Sequence, residues 1–244
     1  MSRSTHRLIE REYVARLEFV TTLLGSQPTH SIAVEHVRAK QVEQLTRELV
    51  RAGTALAEAE AIAVARVEET LPMPDGESPL RHTGFPADER GLFLWDYQVR
   101  QMIKSVAQTL SLKVKGKRAA EASAVSDIQK LLWVYDDMPI RDGRDAFAPK
   151  KLRLRRDGRP IPTPDRMMER PLRAQTMQGP RVSIAVSEAL DPPVELAFRI
   201  GLVRGCRITE EHLHDILSYG ALEGLGQWRS GGWGRFTYDL REVR

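Results

Sequence analysis

The stretch that organises this chain lies near its C-terminus and reads Gly220-Ala-Leu-Glu-Gly224-Leu-Gly226-Gln-Trp228-Arg229-Ser-Gly231-Gly232-Trp233-Gly234-Arg235-Phe236. Six glycines fall within fifteen residues of it. Glycine at this density lets the backbone take positive φ angles and approach another group closely. Flexible linkers are rich in Gly and Ser and contain no large aromatic residues. Because this stretch carries two Trp and a Phe, we expect an ordered loop.

Two interpretations of this glycine-rich loop remain open. In the first, the loop binds a polyanion that carries bases, because guanidinium groups suit phosphates, rings suit bases, and N–H groups lie between them. In the second, it is a tight turn whose Trp side chains cap a core. The first interpretation predicts ligand contacts from Gly224, Gly226, Gln227, Trp228, Arg229, Gly232 and Arg235. Of the two tryptophans, Trp228 is expected nearer the ligand, because Gln227 and Arg229 flank it.

Charge is distributed unevenly along a chain of 244 residues with a net charge of +4. Residues 100–118 hold six Lys or Arg and no acid, and residues 141–181 hold twelve against five acids. Residues 35–77 reverse the balance, with nine acids and five bases. Separated basic and acidic segments are typical of a protein with a polyanion-binding face, although a solvated arginine-rich surface is the alternative.

A second informative stretch, residues 169–181, is polar and basic and offers little to bury. Its Arg and Gln side chains suit phosphates and base edges, although an arginine-rich crossover paired with acids of a neighbouring element is the alternative. Together with the basic turn near residue 113, it adds these predicted nucleic-acid contacts: Arg170, Arg173, Gln175, Gln178, Arg181, Lys113 and Lys115. Arg173 and Arg229 are expected on one face.

The hydrophobic pattern predicts an α+β protein. Alternation over residues 12–20 predicts a half-buried strand, with Tyr13, Ala15, Leu17 and Phe19 on one side. Helical spacing predicts one or two helices over residues 32–70 and another over 92–112. Thr209 is expected to cap a helix that ends at Gly220. Further strands are expected at residues 131–135, 151–155, 182–187, 194–202 and 235–240, with Asp157-Gly158 closing a hairpin.

We expect a single domain over residues 1–244, with a helical insertion at 35–77 and a basic loop or hairpin insertion at 136–181. No apolar run approaches the roughly 20 residues that span a bilayer, and the N-terminus lacks the apolar region of a signal peptide. A single cysteine, Cys206, excludes an internal disulfide and any cysteine-based zinc site. These features predict a cytoplasmic protein.

No catalytic residue, metal site or cofactor site is predicted. The glycine-rich loop lacks the Gly-Lys-Ser/Thr of a phosphate-binding P-loop and leads into a strand. His212 and His214 point roughly 200° apart on a helix and cannot share a metal. The adjacent Asp136 and Asp137 invite a metal interpretation, but such pairs at a strand end more often cap a turn.

The predicted order of strands and helices is that of a ferredoxin-like, RRM-like core, β-α-β-β-α-β. Glycines 224, 226, 231, 232 and 234, placed between the last helix and the last strand, resemble the glycine-rich loop of the RAMP superfamily, whose members form the backbone subunits and processing nucleases of CRISPR effector complexes. The resemblance implies binding of RNA or single-stranded DNA on the sheet, in oligomers or within a larger complex. The inserted acidic segment 35–77 departs from that family's pattern.

The chain is also similar to uncharacterised phage and mobile-element proteins through blocks that span most of its length: Leu23 to Pro28, Gly84-Phe85, Gly91 to Phe93, Asp96-Tyr97, Glu169 to Arg181 and Gly224 to Arg229. The sequence therefore predicts non-catalytic binding of single-stranded nucleic acid, as an oligomer, in a phage or mobile-element context. The rival hypotheses are an endoribonuclease with His36 or His82 as base, a phage structural protein, and an enzyme subunit that acts only within a complex.

Overall fold

The computed structural model describes residues 8–28, 30–70, 82–115, 121–137, 150–176 and 179–243, without the side chains of 30–36, 121, 172–176 and 179–183. It has five helices over these residues: α1 His30–Arg51, α2 Leu56–Thr70, α3 Asp96–Thr109, α4 Val125–Leu131 and α5 Glu210–Glu223. Its strands are β1 Ile9–Phe19, β2 Leu23–Leu24, β3 Gln27–Pro28, β4 His82–Gly84, β5 Ala87–Asp88, β6 Gly91–Trp95, β7 Lys113–Lys115, β8 Glu121–Ser123, β9 Leu132–Asp136, β10 Lys151–Arg156, β11 Arg159–Pro160, β12 Arg166–Thr176, β13 Gly179–Leu190, β14 Val194–Val203 and β15 Phe236–Glu242. The predicted α+β class is confirmed.

The chain divides into two compact units. The first comprises the described parts of Met1–Gly25, Phe85–Arg166 and Glu188–Arg244, and the second those of Ser26–Gly84 and Met167–Ser187. The predicted single domain with insertions at 35–77 and 136–181 stays a prediction, because compactness does not say whether two units unfold together.

The first unit is built on a sheet whose central strand is β1. Antiparallel pairing joins β1 to β15 on one side and to β14 on the other, and β14 pairs in turn with β9 and β10. Along β1 the predicted alternation is confirmed, since Tyr13, Ala15, Leu17 and Phe19 are all buried. Helices α3 and α5 contact each other and the strands β9 and β15. The apolar sides of these elements form one core.

Two predicted boundaries in the first unit are wrong because contacts with distant residues override the local pattern. Residues 92–95 belong to β6 rather than to a helix from 92 to 112, because they pair with β10 and with β5. Helix α5 continues past Gly220 to Glu223, with Gly224 as its C-cap. A Cβ on Gly220 would lie 2.7 Å from the Met102 sulfur. Gly220 therefore allows α5 to pack closely on α3 and does not end the helix.

Other local predictions for the first unit are confirmed. Thr209 is the N-cap of α5 and accepts a hydrogen bond from the His212 N–H. Strands β10 and β11 form a hairpin closed by Asp157 and Gly158, both with positive φ. The basic segment that begins at Lys113, expected as a turn, instead starts with β7, which pairs with β8. Residues 116–120 of that segment lie outside the described residues.

In the second unit, α1 and α2 contact each other. Ala59, Ala63 and Val67 recur at helical spacing on α2 and are buried. The strand β4 pairs in parallel with β13 and antiparallel with β3, and β12 is the other neighbour of β13. A hydrogen bond of 2.8 Å between the hydroxyls of Thr83 and Ser187 joins β4 to β13. Among the described residues, no helix of the chain is long and apolar enough to cross a bilayer.

Candidate nucleic-acid interface

The glycine-rich loop follows α5 and packs on the turn between β1 and β2. Gly224, Gly226 and Gly234 all have positive φ angles. A Cβ on Gly226 would lie 2.6 Å from the Leu24 carbonyl oxygen, and one on Gly234 would lie 1.9 Å from that of Leu225. A Cβ on Gly224 would lie 2.3 Å from the carbonyl oxygen of Trp233. These three glycines are therefore required by close approach of the chain to itself.

Most N–H groups of this loop are also used within the chain. Gln227 N donates to the Leu24 carbonyl at 3.2 Å, and Gly234 N donates to the Thr22 carbonyl at 2.9 Å. In all, seven backbone N–H groups donate internally: those of Gly224, Leu225, Gln227, Gly231, Gly232, Gly234 and Arg235. These seven N–H groups are therefore not available to a ligand, and contact of a ligand with the other N–H groups of the loop stays a prediction.

The side chains of the loop differ in their burial and in their partners. Trp228 is half-buried and has a left-handed backbone, with φ 62° and ψ 33°. Arg229 pairs with Glu223 at 3.2 Å, so its charge is partly neutralised. Arg235 is exposed, and its guanidinium has no hydrogen-bond or ion-pair partner among the residues that the structure describes. Gly232 lies beside it, since a Cβ there would be 3.7 Å from the Arg235 guanidinium.

The structure does not bring Lys113 and Lys115 to the glycine-rich loop. The Lys115 carbonyl accepts a hydrogen bond of 3.0 Å from Arg207, which immediately precedes the N-terminal end of α5. Gly224 is at the C-terminal end of the same helix, and 14 residues of α-helix span about 21 Å. The two lysines and the loop therefore lie at opposite ends of α5.

The predicted contacts of the arginine-rich stretch lie in the second unit, on the hairpin of β12 and β13. Arg170 and Arg173 are in β12 with Gln175, and Arg181 is in β13. Burial lowers the pKa of the half-buried Arg170 guanidinium. The side chains of Arg173, Gln175 and Arg181, and the whole of Gln178, lie outside the described residues. That Arg173 and Arg229 share one face stays a prediction.

The first unit has a cleft of about 630 Å³ that the sequence does not predict. Arg16 and Glu18 alternate along β1 with the buried Leu17 and so face away from the core. Two arginines and four carboxylates line this cleft, namely Arg16, Arg155, Glu18, Asp137, Glu195 and Asp239. An excess of carboxylates repels a polyanion. This cleft is therefore a poor surface for nucleic acid, and binding elsewhere on the sheet stays a prediction.

For the side chains that could act as metal ligands or bases, the structure gives hydrogen-bond partners, strand pairing or burial. Within the described ranges no group of three or more His, Cys, Asp or Glu is arranged to hold a metal ion. His214 Nδ1 lies 3.1 Å from the Tyr238 hydroxyl, and His212 hydrogen-bonds with Thr209. His82 is in β4, where it pairs with Val186, and the side chain of His36 lies outside the described residues. Burial raises the pKa of the Cys206 thiol, which makes it a weaker nucleophile.

Comparison with known proteins gives distant structural likenesses and no match in sequence. No model of a known protein family matches the chain, and no curated protein matches it either. A similar solved chain belongs to the cryo-EM structure of the Type III-B Cmr-beta bound to cognate target RNA, with 9% identity and a TM-score of 0.44. The match covers 96% of this chain and 61% of that chain. A likeness at this level assigns no function.

Proposed function

We propose that this protein binds single-stranded nucleic acid, RNA or DNA, without catalysis, through the side chains of its glycine-rich loop. The observation that carries the proposal is the conformation of Trp228. A bulky residue at φ 62° is an outlier for an L-amino acid. Such strain costs about 1–3 kcal/mol and persists only where the surroundings impose it, most often at functional sites.

The surroundings of Trp228 suit a nucleotide. Trp228 is half-buried, and the part that stays accessible can serve as a platform for base stacking. Arg229 is its neighbour in sequence, and the exposed Arg235 immediately precedes β15. Because the loop backbone packs on residues 22–24, these groups are positioned before a ligand arrives, which reduces the entropy lost on binding.

We interpret the scaffold of the first unit as the ferredoxin-like core. In this interpretation the chain order β1, α3, β9, β14, α5, β15 is the β-α-β-β-α-β order. The antiparallel neighbours β15, β1, β14 and β9 support it. The RAMP assignment, assembly into an oligomer or larger complex, the phage or mobile-element context and the cytoplasmic location remain predictions made from the sequence.

Binding of a labelled uridine or thymidine oligonucleotide, followed by fluorescence anisotropy at several salt concentrations, tests the proposal. We expect log K to fall by about 0.7 per phosphate contact for each tenfold rise in salt. Trp228→Gly removes the ring and tolerates the left-handed backbone. It should keep the melting temperature while weakening binding by about 1–3 kcal/mol.

Trp233→Ala is the matched control, because Trp233 is half-buried like Trp228 but has no left-handed backbone. Its ring is expected from the sequence to pack within the protein. The substitution should lower the melting temperature without changing the affinity of the folded fraction. Wild-type protein that binds no single strand at low salt would refute the proposed function. If the wild type and Trp228→Gly bind with equal affinity, the role of the loop is refuted, but binding of a single strand by the protein is not. Cleavage of the uridine oligonucleotide would favour the rival hypothesis that the protein is an endoribonuclease.

A further inference from the structure

A groove of about 360 Å³ crosses the exposed side of α3, away from the glycine-rich loop and the acidic cleft. Its lining comes from α3 and α4 and comprises Tyr97, Arg100, Gln101, Lys104, Ile128 and Gln129. No carboxylate lines it. The sequence from Tyr97 to Lys115 contains no acid at all, and Asp96, which begins α3, is not part of the lining.

Aromatic rings flank this groove without being buried. Tyr97 is 60% exposed, and its ring stacks on Trp95 with an interplanar angle of 14° and centroids 6.4 Å apart. Trp133, on β9, is 39% exposed. Single exposed aromatic residues are common on protein surfaces. Here two of them adjoin the same basic groove, which is a combination that core packing does not require.

Arg100 lies beside Trp133 and lines the groove together with Tyr97. Its guanidinium lies 5.5 Å from the centroid of the Trp133 ring and donates to the backbone carbonyls of Ile128 and Gln129. These contacts fix the orientation of the guanidinium, and no carboxylate of the groove lining neutralises its charge. Lys104, one turn further along α3, has no ion-pair partner in the part of the chain that the structure describes. The groove therefore combines positive charge with accessible rings.

We propose that this groove, lined by Tyr97, Arg100 and Lys104 and with Trp133 beside Arg100, is a second contact site for the single strand. A base stacks on Tyr97, and the adjoining phosphates pair with Arg100 and Lys104. The inference rests on the proposed function and extends the bound strand beyond the glycine-rich loop. Charge favours this groove over the sheet, where carboxylates outnumber arginines in the cleft.

The test compares full-length variants by anisotropy with the same labelled oligonucleotide. Tyr97→Ala should weaken binding roughly tenfold, as expected for the loss of one stacked base. Tyr97→Phe keeps the ring and should bind like the wild type. Lys104→Glu should weaken binding and lower the slope of log K against log salt by about 0.7. Because Tyr97 is exposed, both Tyr97 variants should melt at the wild-type temperature. Lys104 is half-buried, so the affinity of Lys104→Glu is compared per folded molecule.

Arg159→Glu is the control for charge, because it also replaces a basic residue by Glu, at the exposed first residue of β11. Because Arg159 does not line the groove, this variant should leave the affinity within about twofold of the wild type. Ultraviolet crosslinking of a 4-thiouridine oligonucleotide, followed by peptide mass spectrometry, should place a crosslink at Tyr97 or Trp133.

Three results would overturn the inference in distinguishable ways. If the wild type binds the oligonucleotide and both Tyr97→Ala and Lys104→Glu bind equally well, the groove is not a contact site, while the proposed function stands. If the wild type binds no single strand, the groove proposal falls together with the proposed function. If Lys104→Glu binds the oligonucleotide like the wild type but no longer binds polyglutamate, the groove binds an acidic protein partner instead.

Discussion

Gly234→Ala is expected to destabilise the fold more than any other single substitution in the glycine-rich loop. Gly234 has φ 69°, and an added Cβ would lie 1.9 Å from the Leu225 carbonyl oxygen. The left-handed backbone costs about 1–3 kcal/mol for a non-glycine residue, and forced displacement of packed backbone costs about 1–3 kcal/mol more. Thermal unfolding should show a melting temperature roughly 5–20 °C lower.

Gly232→Ala separates the two contributions. Gly232 also has a positive φ, of 83°, but the nearest atoms to an added Cβ belong to the Arg235 guanidinium at 3.7 Å. Only the backbone strain applies, so the loss should be about 1–2 kcal/mol. If the Gly234→Ala and Gly232→Ala variants melt at the same temperature, the packing described for this loop is contradicted. Gly226→Ala should lower the melting temperature about as much as Gly234→Ala does. Effects on binding are therefore best measured with Gly232→Ala, whose fold is less disturbed.

Asp136→Asn is expected to stabilise the protein near neutral pH. Asp136 is 5% exposed, and its Oδ1 has no hydrogen-bond partner among the described residues. Burial, aided by the neighbouring Asp137, raises the pKa of Asp136 to about 6. The folded state therefore holds this proton more tightly than the unfolded chain, whose Asp titrates near pH 4. Stability contributed by Asp136 is lost as the pH rises from about 4 to about 6.

The gain from Asp136→Asn should follow that pH range. One pKa unit corresponds to about 1.4 kcal/mol, so the variant should be about 2–3 kcal/mol more stable than the wild type above pH 6. Around pH 4 both side chains are neutral and the difference should vanish. Denaturant unfolding at a series of pH values measures it. Asp239→Asn, at an exposed carboxylate, is the control, and a gain that does not depend on pH would refute the explanation.

The sequence predicted those elements whose pattern is local. Alternation in β1 identified its buried side, Asp157-Gly158 identified a hairpin, and Thr209 identified the start of α5. Each of these signals depends on residues within a few positions of one another. The apolar spacing of residues 92–95 also fits a helix, so it does not by itself predict a strand. Their pairing with residues 151–153 decides for a strand.

The glycine-rich loop shows the same limit for function. Its glycines and aromatic residues correctly indicated that the backbone would approach another group. The sequence did not indicate that this group is the turn of residues 22–24 in the same chain. The spacing of Arg100 and Lys104 predicts that they share one face of a helix. No local pattern predicts that Arg100 lies beside Trp133.

By itself, the sequence determined the α+β class, the buried side of β1, the cap of α5 and the basic character of the segment that follows Tyr97. These properties depend on side-chain chemistry and on local periodicity. Only the tertiary structure decided that the loop N–H groups are used internally, that the cleft on the sheet carries more carboxylates than arginines, and that Tyr97, Arg100 and Trp133 adjoin one groove. The reason is physical: strand pairing and helix packing bring together residues far apart in the chain, and contacts at such separations have no signature in a single sequence.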